Sequence, residues 1–321
     1  MTALRRIALA LMLLSLPWPV RAQDYPSRPI RVIAVTSAGG TSDIFMRALG
    51  DELHKSLGQP IIIDNRPGGA FNIWSRACAE AAPDGYTICI IPSEPLVFNQ
   101  FMFKSLGYDP ATAFEPITQL FFITQALVVS AKLNVTTLAE LASRSKLEPG
   151  TLSYSTGAIP AVVFIERWKK QTGADIVKVP FRGGGEAVAA LLTGATPVGL
   201  YGLANMRAQL ESASVRGIAV DSETRSPLFP GIPTILEASG RNYPARSYFG
   251  LMAPTGTPKP IVARIYGAVA RIIAAGEFRR RNLIEGGLDP MASAPDDYAR
   301  FIRQDRLLAE QIVREAGLES Q

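Results

Sequence analysis

Three short apolar runs, at residues 30–35, 60–64 and 86–91, alternate with stretches of helical periodicity at 42–57 and 71–82. In the first of these stretches Phe45, Leu49, Leu53 and Leu57 recur at helical spacing, and Gly58 stops the pattern. Strand and helix alternating at this pace predict a parallel sheet covered by helices. The first handover reads Val35-Thr36-Ser37-Ala38-Gly39-Gly40-Thr41-Ser42-Asp43. A strand–glycine turn–helix junction of this kind exposes backbone N–H groups at the positive end of a helix, which suits an anion.

The pattern then returns. An apolar run at 120–129 is expected as a strand leaving the first domain. Thr137-Leu138-Ala139-Glu140 opens a helix, and 152–154 is a strand feeding another turn of small residues. A helix at 162–171 and a strand at 176–180 lead to a second glycine-rich junction, Phe181-Arg182-Gly183-Gly184-Gly185-Glu186. A helix at 187–192, strands at 198–201, 217–220 and 248–253, and helices at 260–275, 278–285 and 296–316 complete the chain. This order predicts two α/β domains joined by two crossings, with both chain ends in the first. Ligands of open α/β sheets sit beyond the carboxyl ends of the strands, so the glycine turns of both domains are expected to face one cleft.

The first 22 residues read as a secretory signal peptide. Arg5 and Arg6 precede an uncharged apolar run at 7–16, Pro17 and Pro19 break it, and Val20-Arg21-Ala22 is an acceptable cleavage site. Of the 321 residues 47% are hydrophobic, enough for two cores. Loss of Arg5, Arg6 and Arg21, with no acid lost, lowers the formal net charge from +5 to +2. That balance gives no case for nucleic acid as a partner. No later stretch reaches the roughly 18 apolar residues of a spanning helix, so a periplasmic protein is expected. Cys78 and Cys89 are the two cysteines. In an oxidising compartment they either bridge or sit as two small buried hydrophobes, and the sequence leaves both open.

The motifs exclude several chemistries. Neither glycine junction is G-x-G-x-x-G or carries the G-K-[ST] that sets a lysine on phosphate. For either turn alone, glycine serving tight geometry and Thr41 or Ser42 serving as N-cap is a sufficient reading. His54, the single histidine, lies within the first helix and is expected on its surface, away from any triad or metal site. Ser153-Tyr154-Ser155-Thr156-Gly157 lacks the first glycine of a nucleophile elbow. The chain is therefore expected to be a binding protein rather than an enzyme, with no cofactor and no metal.

Several short motifs occur in order along nearly the whole mature chain. They are Tyr25-Pro26-Ser27-Arg28-Pro29-Ile30-Arg31, the Gly39-Gly40-x-x-Asp43 turn, Leu57-Gly58-Gln59-Pro60, Asn65-Arg66-Pro67-Gly68 and Pro83-Asp84-Gly85-Tyr86-Thr87. Later come Val179-Pro180-Phe181-Arg182-Gly183, Arg225-Ser226-Pro227, Gly231-Ile232-Pro233-Thr234 and Pro254-x-Gly256-Thr257-Pro258. With these the chain resembles the periplasmic solute-binding proteins of tripartite tricarboxylate transporters, the Bug family. The resemblance implies an α/β, two-domain, type II periplasmic binding protein fold (a Venus flytrap) with two crossover strands. Its domains would be 23–124 plus 249–321, and 125–248. It implies a monomer that binds a small organic carboxylate and passes it to the transporter's membrane subunits. A sensing protein that signals to a sensor kinase is the alternative, and an exported hydrolase acting through Ser155 a further one.

Carried onto this sequence, the ligand loops would be Thr36, Ser37, Ala38, Gly39, Gly40, Thr41 and Ser42 in the first domain and Ser155, Thr156, Gly157 and Ala158 in the second. Ser93, Arg182, Gly183, Gly184 and Tyr201 would contribute beside them. Asp43 fits a capping role better than ligand contact, because its carboxylate would repel an acid. Ala38 stands where the family usually has proline, Trp74 where glycine is common, and Tyr201 where aspartate is frequent. Residues 157–163 are also more apolar than the usual turn. These departures fit either a ligand with an apolar or aromatic body rather than citrate, or drift at positions that do not touch the ligand.

Overall fold

The computed structural model describes residues 25–66, 68–181, 184–241 and 246–316; the expected signal peptide lies outside them. The first unit begins as β1 (Ile30–Ala34), α1 (Thr41–Leu57), β2 (Ile61–Asn65), α2 (Asn72–Ala79) and β3 (Thr87–Pro92). β1 pairs in parallel with both β2 and β3. Phe45, Leu49 and Leu53 of α1 are fully buried against this sheet. Gly58 ends the helix in the left-handed region (φ +77), its N–H bonding the His54 carbonyl at 2.8 Å. His54 is exposed.

β4 (Phe114–Ile123), β10 (Tyr248–Pro254) and β11 (Leu288–Pro290) extend this sheet antiparallel, in the order β11-β4-β10-β3-β1-β2. A second sheet holds β5 (Gln125–Ser130), β6 (Ser153–Ser155), β7 (Val177–Lys178), β8 (Val198–Gly202) and β9 (Val215–Val220), in the order β7-β6-β8-β5-β9. Between these strands run α3 (Leu138–Leu147), α4 (Ile159–Thr172) and α5 (Gly184–Thr193). Near the C-terminus, α6 (Lys259–Ala274) and α7 (Gly276–Asn282) precede α8 (Pro295–Ala316). The core on one face of the first sheet gathers α1 and α6, and the core on the other gathers Cys78, Phe98, Tyr298 and Ile302. The second sheet also carries two clusters, around Trp168 and around Met206. Both sheets are thus covered on both faces, which is the two-domain flytrap architecture.

The crossing differs from its sequence reading. The run at 120–129 is two strands in two sheets, parted at Thr124. The run is apolar on both sides because both strands are buried; the polar pair Thr124-Gln125 interrupts it and marks the break. Thr124 accepts the Leu203 N–H at 2.8 Å, and Ile123 N–H bonds the Ser247 carbonyl at 2.8 Å, tying the two crossings together. Gln125 donates its backbone N–H to Asp221 Oδ1 (2.8 Å) and its side-chain amide to Ser247 Oγ (2.9 Å). β4 also starts well before residue 120. Thr118 and Gln119 are buried yet polar, and Thr118 Oγ1 is satisfied by donating to the Ser293 carbonyl at 2.8 Å. The helical segments Glu94–Phe98 and Asn99–Met102 carried no periodic signal long enough to predict. α4 begins at Ile159 rather than 162 because Pro160 suits a first helical turn.

Cys78 of α2 and Cys89 of β3 form a disulfide with a Cα–Cα distance of 6.3 Å, both side chains fully buried. The bond closes a loop of 11 residues, for which chain entropy alone predicts about 3 kcal/mol. The Cys78→Ala, Cys89→Ala double variant should lose about 2–4 kcal/mol in urea unfolding; a loss below about 1 kcal/mol would show that packing replaces the cross-link.

Asp305 of α8 lies among Tyr248 and Tyr298, where burial pushes its carboxyl up to about 7. Burial raises Asp221 to about 7 as well, against the opposing pull of Arg246. A raised native pKa means that the folded state holds more protons between about pH 4 and 7, so stability falls as pH rises through that window. Asp43 and Asp64, whose acidity is strengthened, act only below it. Unfolding free energy should therefore be higher near pH 5 than near pH 8, and Asp305→Asn should flatten that slope; an unchanged slope in the variant would remove Asp305 from the account.

Candidate functional site

The turn after β1 is held by its own side chains. Gly39 has φ +81, a conformation that favours glycine, and Gly40 N–H bonds the Ser37 carbonyl at 3.0 Å. A Cβ on Gly40 would meet Ser37 O at 3.0 Å and Thr36 Oγ1 at 3.1 Å, so the turn is closed to larger residues. Thr36 and Ser42 hydrogen-bond through their hydroxyls, and Ser42 is fully buried. Asp43 Oδ2 accepts the Gly39 N–H at 2.8 Å and Arg47 Nε at 3.1 Å. Burial alone would raise the Asp43 carboxyl, but Arg47, Gly39 and Asn65 outweigh it and hold it below the usual carboxylate range. Asp43 therefore fastens the loop to the third position of α1. The N-cap itself is Gly40, rather than Thr41 or Ser42, and it has no side chain to cap with. The first-turn N–H groups of α1 consequently have no capping side chain.

The second unit repeats the device. β6 ends at Ser155, Thr156 Oγ1 accepts the Ala158 N–H at 3.3 Å, and α4 starts at Ile159 with Ala158 as an N-cap that offers no side-chain bond. On the neighbouring strand β8 the Tyr201 ring folds back over Gly199, where a Cβ would fall 2.1 Å from Cε2. Glycine at 199 lets the ring lie flat there, and its hydroxyl meets Ser155 Oγ in a short hydrogen bond. Burial raises the Tyr201 phenol, and the Ser155 bond opposes that. Ser155 is thus paired with a phenol.

Both devices open on one cleft between the two sheets, a cavity of about 240 Å³. Thr41 reaches it from the first unit, and Thr156, Gly157, Ala158 and Tyr201 from the second, while Gln125 and Ser247 line it at the crossings. A second cavity of about 330 Å³ adjoins it, between Ser155, Thr156, Gly157, Phe181, Gly184 and Tyr201. Ser37, Ala38 and Gly39 lie exposed on the loop outside both linings. Ser93 is fully buried and donates to Glu94 Oε2 at 3.4 Å; Glu94, not Ser93, lines the cleft. Arg182 and Gly183 lie outside the described residues. Trp74 stands clear of both cavities, stacked under the Arg66 guanidinium at 4.7 Å.

Sequence reasoning missed Phe71, Glu94, Asn205 and Phe249, which line the same cleft. Phe71 follows Ala70, and both have positive φ (+69 and +47), a strained bend that carries the ring to the cleft wall. Only the preceding Asn65–Gly69 turn hinted at it. Glu94 lies two residues beyond the end of β3, next to the predicted Ser93, and was not singled out from the sequence. Among the described residues that line the cleft, Glu94 is the single acid and no lysine, arginine or histidine is present. Among the described residues no cluster of histidine, cysteine and carboxylates could hold a metal ion, and no helix is long and apolar enough to cross a membrane.

Residues 45–318 match the model of the tripartite tricarboxylate transporter family receptor. Protein BugT of Bordetella pertussis is 30% identical over 302 residues, covering 93% of this chain and 92% of that protein. The structure of R. palustris Rpa4515 with adipate superposes with a TM-score of 0.84 at 30% identity, over 92% of this chain and all of that one. MatC from Rhodopseudomonas palustris with bound malate gives 0.76 at 28% identity, over 90% of this chain and all of that one. The chain belongs to the tripartite tricarboxylate transporter receptor family, a family of periplasmic solute-binding proteins.

Proposed function

We propose that this protein is exported, loses residues 1–22, and binds a small organic carboxylate as a monomer in the cleft between its sheets, delivering it to a tripartite tricarboxylate-type membrane transporter. Its lobes divide at 124/125 and 248/249. The observation that carries the reading is the pair of N-termini, α1 and α4, that open on one cleft from two units without side-chain caps. A carboxylate between them accepts N–H bonds and meets two positive helix ends, so no cationic side chain is required. The adipate and malate bound by relatives agree in class. Phe71, Phe249, Leu200 and Leu203 give the rest of the cleft an apolar wall, which suits an acid with an apolar body.

A thermal-shift screen of residues 23–321 against aliphatic and aromatic mono-, di- and tricarboxylates tests this. An acid at about 100 times its Kd stabilises by roughly 2.7 kcal/mol, enough to raise Tm by several degrees. No shift with any carboxylate would reject the reading. A shift with citrate alone, and none with aromatic or long-chain acids, would keep the carboxylate and reject the apolar body.

The acid that shifts Tm should bind less tightly to Asp43→Ala, by roughly tenfold in calorimetry, because the freed Gly39 turn loses its fixed shape. An unchanged Kd would show that the turn does not position the ligand.

A further inference from the structure

Glu94 is an anomaly in a cleft that takes acids. The residue lines the cavity with Phe71 and Pro92, yet it is only 7% exposed. Among the described residues its one side-chain partner is Ser93 Oγ, and it has no ion pair. The elements packed against its helical turn supply no cation to it. From α8, Arg306 turns its guanidinium to the carbonyl oxygens of Leu96 and Pro110, at 3.1 and 2.8 Å. Asp305 and the Tyr248 and Tyr298 phenols nearby bring only acidic groups. Burial without a cation accordingly raises the Glu94 carboxyl.

When Glu94 is ionised, a second carboxylate brought beside it in this cavity puts two like charges in one site, and they oppose each other. A ligand escapes that cost if the part of it facing Glu94 donates a hydrogen bond. An ammonium also supplies the missing counter-charge, and a hydroxyl satisfies the carboxylate oxygen. We propose that Glu94 is the specificity-determining residue of the cleft, selecting acids that carry an ammonium or hydroxyl donor over the same acids without one. This rests on the carboxylate reading given above. It also separates the roles of the cleft: the helix ends hold the acid, the aromatic wall holds its body, and Glu94 reads its substituent.

Matched ligands test it by calorimetry on residues 23–321 at about pH 7: succinate against malate and aspartate, adipate against 2-aminoadipate, and 3-phenylpropionate against phenylalanine. In the pairs that bind, the donor-bearing acid should be preferred by at least about tenfold, and Glu94→Gln should bring both members within about threefold. Thermal unfolding of Glu94→Gln without ligand establishes that the variant is folded. Plain acids binding as tightly as their donor-bearing partners, or a preference that survives Glu94→Gln, would overturn the proposal. The first of these results would mean that Glu94 carries a proton and itself donates to the ligand. Failure of every acid to bind either protein would instead overturn the carboxylate reading, and this proposal with it.

Discussion

Everything functional in this molecule depends on a narrow strip of hydrogen bonds where the chain crosses twice between its sheets. Gln125 donates to both Asp221 and Ser247, Asp221 N–H returns to the Gln125 carbonyl at 3.0 Å, and Ile123 bonds Ser247. Arg246 on the second crossing stacks over Phe122 at 4.3 Å and pairs with Asp289. These contacts span both crossings at one level, so they form an axis rather than a broad interface. The turns after β1 and β6 open on one cleft because this axis fixes where the sheets meet, while each turn is built independently by its own strand and helix.

The cleft handles negative charge by an indirect route. The strong cation near the first turn, Arg47, pairs with Asp43 on the helix rather than pointing into the cavity. Asp43 in turn spends its charge on the Gly39 N–H. Charge is thereby used to hold a backbone shape, and the backbone dipoles are left to meet the ligand. On the proposed reading, such a site would hold an acid without the high desolvation cost of a buried arginine, and its selectivity would come from what surrounds the helix ends.

The sequence was most legible where local chemistry sets structure. Phe45, Leu49 and Leu53 predict α1 because burial on one face is a periodic property, and Gly58 marks its end because only glycine takes that φ without cost. The glycine turn after β1 was legible for the same reason. Legibility failed where tertiary contact decides. The break falls at Thr124-Gln125, a polar pair that a single-strand reading of the run passes over, and Thr118 is polar in a core because the Ser293 carbonyl, 175 residues away, accepts its hydrogen bond. Phe71 and Glu94 reach the cleft through irregular backbone that no period encodes. Tyr201, read from sequence as a departure at a strand end, reaches the cleft because Gly199 gives up its side-chain volume two residues earlier.

Helix ends on two separate bodies give binding a consequence that one body could not. A ligand held by α1 alone leaves the first turn of α4 unmet, and the reverse holds equally. Full satisfaction of the carboxylate therefore requires the two units to hold a fixed separation about the crossing strip. On the reading proposed above, a carboxylate that meets only one N-terminus gains one set of N–H bonds. An acid that meets both, but is apolar where it faces Glu94, leaves that carboxyl group unanswered. The carboxylate would thus be read by helix ends of both units and its substituent by Glu94 of the first.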